Sequence, residues 1–165
     1  MRWARAHDQV DITGEGGALA TRKSGDGDFR PAVCGAVLQA EGEAYAEFTW
    51  VSGRRLMVGV ARAGVDPNSV GHGGFRSTAG GWMYSCSYGA HFHNGGGGKP
   101  WASGDKRSIR VGETVGLLLR RGSLSVHIGG RQVGVMCTGL TGELVWAADL
   151  NWSGSVRIAR KPPPA

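Results

Sequence analysis

The feature that most constrains the fold is a period-two alternation of apolar and polar residues that recurs along the chain. In residues 123–128, Leu, Val and Ile alternate with Ser and His, and residues 155–160 show a similar pattern. Residues 45–51 and 56–61 are rich in aromatic and apolar side chains, and residues 53–55 between them read as the turn of a hairpin. Such segments predict about ten to thirteen short strands and no long amphipathic helix. The chain is therefore expected to be all-β, a sandwich or a barrel.

Glycine is unusually frequent, with 30 of the 165 residues, and it shows no collagen-like period. Glycines in this number are typical of tight turns between short strands. A chain of this length suits one domain that can bury a core without disulfide or metal support. We expect a single domain over residues 1–160, followed by a Pro-rich tail at residues 161–165.

The net charge of +6 is unevenly distributed, because residues 83–165 hold ten basic and only four acidic side chains. A basic surface can attract acidic partners or nucleic acid, although a solvated face is the simpler interpretation. The chain holds no apolar run of the roughly 20 residues that a membrane span requires. Its three cysteines are widely spaced and form no CxxC pair, which favours free thiols. We expect an intracellular, cytoplasmic protein without membrane contact.

Three patterns raise the question of catalysis or cofactor binding, and each is incomplete. His91 and His93 would share one face of a strand, but no Cys or carboxylate stands at a useful spacing for a metal. Residues 95–99 end in Gly-Lys, but Pro100 stands where a phosphate loop needs Ser or Thr. Glu47 and nearby glutamates could suggest a glycosidase, which needs two facing carboxylates. We therefore expect no enzyme, no metal and no cofactor.

At the level of motifs, the chain resembles the SPRY domain family from about Trp3 to Arg160. The motifs that carry this resemblance stand in the family's order: Tyr45-Ala46-Glu47, Val58-Gly59-Val60-Ala61, Gly81-Trp82-Met83-Tyr84, residues 111–117, the hairpin 123–134, and the closing strands at 144–149 and 155–158. The resemblance implies a two-layer antiparallel β-sandwich with variable loops at one end that bind protein segments. It implies no catalytic residue.

Within that family, the chain most resembles the SOCS-box-associated subfamily in its motifs. Arg30-Pro31-Ala32 and Trp152 resemble its early and late signatures, each with a one-residue shift. A tyrosine that this subfamily places in the loop after the Val-Gly-Val strand has no counterpart between Asp66 and Phe75. By this resemblance, the partner-binding surface is predicted to comprise Arg30, Pro31, Val65, Asp66, Phe75, Tyr88 and Trp152. Phe75 or Trp152 could instead close the end of the core.

These observations favour a non-catalytic protein–protein interaction module that acts as an adaptor or complex subunit and is itself monomeric. The expected partner is a protein or peptide held by a few anchoring side chains. A β-sandwich that binds carbohydrate or nucleic acid is the alternative. Exposed tryptophans would serve the first of these ligands, and the basic second half of the chain would serve the second. Trp50, Trp82 and Trp146 lie inside strand patterns and are expected to fill the core.

Overall fold

The computed structural model describes residues 1–23, 25–99, 101 and 108–165. Pro100, which breaks the phosphate-loop pattern, lies outside the described residues. Within these residues fifteen strands form two antiparallel sheets. The first sheet contains, in spatial order, β1 (Trp3–Ala6), β4 (Arg30–Cys34), β14 (Glu143–Leu150), β7 (Leu56–Arg62), β8 (Gly81–Ser85), β9 (Ala90–His93) and β10 (Gly96–Lys99), with β5 (Leu38–Gln39) beside β14. The second contains β13 (Arg131–Cys137), β12 (Ser123–Ile128), β11 (Thr114–Arg120), β6 (Glu43–Ser52), β15 (Ser155–Arg160), β3 (Leu19–Arg22) and β2 (Val10–Thr13).

The two sheets enclose an apolar core that confirms the predicted two-layer sandwich. At its centre, Phe48 of β6 packs against Trp146 of β14, with ring centroids 6.0 Å apart, and against Trp3 of β1 at 6.3 Å. Alternation along β6 places every second side chain in this core, as expected for a sheet with one solvent-exposed face. Of the other tryptophans expected in the core, Trp50 is buried, whereas Trp82 lies half-buried at its margin.

The outer face of the first sheet is also covered, by the long β7–β8 connection at residues 63–80. This connection contains two single 3₁₀ turns, Pro67–Ser69 and Phe75–Ser77; a third lies at Glu15–Gly17. Its apolar side chains join a second buried cluster made of Phe29, Val33, Met57, Ala61, Val70, Phe75, Met83, Val145 and Ala147. Burial on both faces explains why β7 and β14 read as continuous apolar runs and not as alternating ones.

Asp149 of β14 anchors the connection to the sheet. Its carboxylate is buried, and Oδ2 accepts a hydrogen bond of 2.8 Å from the backbone N–H of Phe75. Gly74 lies directly above, with φ of 69°, and a Cβ atom there would be 2.5 Å from the Asp149 carboxylate. Burial raises the pKa of Asp149 to about 7, although the Phe75 N–H and Arg76 oppose the shift.

No helix among the described residues has the length and apolar character needed to cross a membrane.

Candidate binding surface

Three turns meet at one end of the sandwich because strands that border them are paired in register. Leu56 at the start of β7 lies opposite Leu150 at the end of β14, and Met57 lies opposite Ser85 at the end of β8. The β6–β7 turn (residues 53–55), the β8–β9 turn (86–89) and the β14–β15 turn (151–154) are therefore neighbours.

Hydrogen bonds tie these turns to one another. The Ser52 hydroxyl lies 2.8 Å from the Ser155 hydroxyl and donates to the carbonyl of Ser153 at 3.2 Å. The Ser87 hydroxyl donates to the carbonyl of Arg54 at 3.4 Å. Since side-chain bonds of this kind fix the backbone on both sides, the end of the sandwich forms a preorganised surface.

Trp152 is held on this surface by an unusual backbone. Trp152 and Ser153 have φ values of 48° and 56°, a left-handed backbone conformation that residues other than glycine rarely adopt. The backbone N–H of Trp152 donates a hydrogen bond to the backbone carbonyl of Asp26 at 2.9 Å. Gly27 lies against the indole, where a Cβ atom would approach the ring to 2.9 Å. The indole is backed by the chain on one side and remains 37% exposed.

Two arginines lie over aromatic rings on these turns. The guanidinium of Arg54 is 4.9 Å from the ring centre of Trp152, and that of Arg55 is 5.3 Å from the ring centre of Tyr88. Both arginines are exposed, and Tyr88 is 52% exposed. Cation–π contacts of this kind stabilise by about 0.5–1 kcal/mol at exposed sites. We call these four residues, Arg54, Arg55, Tyr88 and Trp152, the arginine–aromatic platform.

Arg30 connects two neighbouring loops and presents little of its side chain to solvent. Its Nε donates to Oε1 of Gln9 at 3.3 Å, and Nη2 lies 3.5 Å from the Asp28 carboxylate. The same carboxylate lies 2.9 Å from Nδ1 of His72, in the connection that covers the first sheet. The side chain of Arg30 is only 14% exposed. It therefore links residues 25–29 to residues 63–80.

The remaining residues of the predicted surface lie elsewhere or inside. Pro31 is buried in β4, and Phe75 is 1% exposed within the second apolar cluster. The rings of both are part of the packing that supports the loops, so they present no side chain to a partner. Val65 and Asp66 lie beside β1, where the Val65 carbonyl accepts a hydrogen bond from Arg5 and Asp66 caps a 3₁₀ turn. Among the seven residues, the structure thus brings Tyr88 and Trp152 together on the platform, with Arg30 at the start of β4, directly after the loop 25–29.

Comparison with solved structures identifies the architecture. The SPRY domain of human HERC1 superposes with a TM-score of 0.73 over 92% of each chain, at 19% sequence identity. The chain has the SPRY fold. A second human SPRY domain matches with a TM-score of 0.71, at 14% identity, over 92% of this chain and 94% of that one. The stonustoxin structure matches with a TM-score of 0.63 at 21% identity, over 94% of this chain and 26% of its own.

No protein-family model matches the sequence, and no curated protein matches it significantly. The closer kinship with the SOCS-box-associated subfamily stays a prediction.

The two arginines of the platform are not among the residues predicted from the sequence, where residues 53–55 were interpreted only as the turn between two strands. An Arg-Arg pair at a hairpin tip beside aromatic-rich strands was the available signal, since exposed arginines often stack on aromatic rings.

Proposed function

We propose that this SPRY-fold chain is a non-catalytic protein-interaction module that binds a segment of a partner protein on the arginine–aromatic platform. The observation that carries the proposal is the pair of arginine–aromatic stacks displayed by mutually bonded turns. Trp, Tyr and Arg are the residues that most often dominate the energy of protein interfaces. Loops fixed on a rigid scaffold are also where binding specificity usually resides.

Preorganisation supports the same interpretation. The backbone at Trp152 is fixed by two consecutive left-handed residues and by the hydrogen bond from the Trp152 backbone N–H to the Asp26 carbonyl. A segment that docks there would not have to order the surface first, which removes part of the entropic cost of binding. A backbone conformation that costs about 1–3 kcal/mol persists where the surrounding structure holds it, frequently at ligand-binding sites.

The Ser–His pair of the second sheet supports a role without catalysis. The Ser125 hydroxyl lies 3.1 Å from Nε2 of His127, on the outer face of β12. Nδ1 of His127 is buried without a hydrogen-bond partner among the described residues, whereas a catalytic triad places a carboxylate there. Burial lowers the pKa of His127, and we interpret the pair as part of the sheet's packing.

The states of the cysteines are compatible with an intracellular location. Cys34 and Cys86 are buried and Cys137 is half-buried, all three as free thiols. Free thiols persist in reducing compartments. We therefore place the protein in the cytoplasm, as an adaptor or a subunit of a larger complex, within this proposal.

Selection from a displayed random-peptide library tests the proposal. Peptides enriched on the wild-type protein should lose about tenfold or more in affinity for the Trp152→Ala variant, because an interface anchor contributes about 2 kcal/mol or more. Val37→Ala, which truncates another exposed apolar residue that lies outside the platform, is the matched control and should bind unchanged.

Two results would contradict the proposal. Equal losses in the two variants would place the binding surface elsewhere. Binding of a neutral oligosaccharide or of an RNA oligonucleotide that depends on Trp152, without any selected peptide, would favour the carbohydrate or nucleic-acid alternative.

A further inference from the structure

We propose that the platform selects its partner segment by negative charge, with the guanidinium groups of Arg54 and Arg55 each receiving an Asp or Glu carboxylate. This inference rests on the proposed function, because it specifies the chemistry of the segment that the platform binds.

The first observation is that, among the described residues, no ion pair neutralises either of these two arginines. Within the described residues, no carboxylate lies within 4.0 Å of either guanidinium. Near this end of the sandwich, Arg22 is paired with Asp26 at 2.7 Å, Lys23 with Asp11 at 3.2 Å and Arg30 with Asp28 at 3.5 Å. The positive charge of the platform is therefore free to act on an incoming group.

The second observation is the way in which the rings orient the arginines. Each guanidinium lies about 5 Å from a ring centre, so the ring contacts it directly. The ring thereby restricts a long side chain that would otherwise lose rotamer entropy on binding. The N–H groups at the edge of a planar guanidinium match the two oxygens of a carboxylate. Arg54 and Arg55 can each offer such an edge.

The third observation is that nearby acidic residues are already engaged. Asp26 pairs with the buried Arg22, and Asp28 contacts both Arg30 and His72. Neither carboxylate has to be displaced for the platform to accept a new one. Both are more than two-fifths exposed and lie on the loop that supports Trp152.

These carboxylates also argue against a nucleic acid as the bound segment. A single-stranded nucleic acid is usually followed by a continuous basic groove, because every nucleotide carries a phosphate. Beside the platform, the exposed Asp26 and Asp28 interrupt any such groove, and Lys23 is paired with Asp11. Two localised cations suit a segment with two localised anions.

Two displayed peptide libraries test the inference. They are identical in design, but one permits Asp and Glu at every varied position and the other replaces them with Asn and Gln. We expect platform-dependent enrichment only from the acidic library. The double substitution Arg54→Gln and Arg55→Gln should reduce the affinity of enriched peptides by about tenfold or more, because it removes two charge-assisted contacts. The corresponding Lys double variant should recover only part of it.

The matched control removes the same charge at the opposite end of the sandwich, by Arg121→Gln together with Arg160→Gln. This variant should bind the selected peptides as the wild type does, which separates the local contact from the effect of net charge.

The outcomes distinguish this inference from the proposed function. Equal enrichment of both libraries, with loss in Trp152→Ala, would overturn the charge selection and leave the binding function intact. Loss of affinity in the control double variant equal to that in the platform variant would also overturn it. Binding of a labelled uridine oligonucleotide that depends on Arg54 and Arg55 would replace the peptide with a nucleic acid. No platform-dependent enrichment from either library would refute the proposed function and, with it, this inference.

Discussion

Replacing Asp149 with Asn is expected to remove a pH-dependent penalty from the stability of the domain. Asp149 is fully buried and holds the connection 63–80 through the N–H of Phe75. An amide can accept the same hydrogen bond through its oxygen, and it has the charge and approximate shape of the protonated acid. The variant therefore keeps the anchor and loses the ionisation.

The size of the effect follows from the pKa of the buried group. Its pKa of about 7 in the folded chain, against an ordinary value of 3.8, means that folding favours the protonated form. The folded state holds this proton while the unfolded chain releases it, so stability falls as the pH rises from about 4 to about 7 and then levels off. At 1.36 kcal/mol for each pH unit, the loss is at most about 4 kcal/mol.

Urea denaturation followed by tryptophan fluorescence, at several values between about pH 4 and about pH 8, measures this loss. We expect the free energy of unfolding of Asp149→Asn, relative to wild type, to increase across that range and to become constant above about pH 7. Glu15→Gln, which removes an exposed carboxylate, should run parallel to wild type. A constant difference between Asp149→Asn and wild type at every pH would refute the reasoning.

Three further outcomes are expected. Gly116→Ala should lower the free energy of unfolding by about 1–3 kcal/mol, because the added Cβ atom would lie 1.9 Å from the Tyr45 hydroxyl. Gly71→Ala, whose added Cβ atom meets no neighbour within 4 Å, should be tolerated. Phe75→Ala should lower the free energy of unfolding by about 3–5 kcal/mol, and a change below about 1 kcal/mol would show that its ring is not part of the core. Cys34, which is buried and has its pKa raised to about 12, should resist iodoacetamide near neutral pH until the chain is unfolded; rapid labelling of native protein would contradict its position.

The fold was predictable because alternation is a local property of the chain. The hairpin at residues 45–61 and the alternating strand 123–128 each carry their periodicity within a few residues, and the structure forms strands at both. The connection 63–80 carries no such pattern. Phe75 is buried through contacts with β14, more than seventy residues later in the chain, and only the assembled sheet provides them.

The binding surface was predictable only in part for a related reason. Trp152 and Tyr88 were selected by resemblance, and the structure places both on exposed turns. Their association with Arg54 and Arg55 depends on the register by which β7 lies between β14 and β8. A one-residue change in register would reverse which face each side chain occupies, and the sequence does not specify register directly.

Because both faces of the first sheet are buried, the loops that connect its strands differ in how far their sequence and length can be changed. The connection 63–80 resembles a surface loop in sequence, yet Val70 and Phe75 behave as interior residues and Gly74 leaves no space for a side chain. Shortening or randomising this segment would expose an apolar sheet, with aggregation as the expected consequence. In the β6–β7 and β8–β9 turns, the side chains of Arg54, Arg55 and Tyr88 project into solvent and can be varied far more freely. Any redesign of binding specificity on this scaffold would therefore start with those two turns.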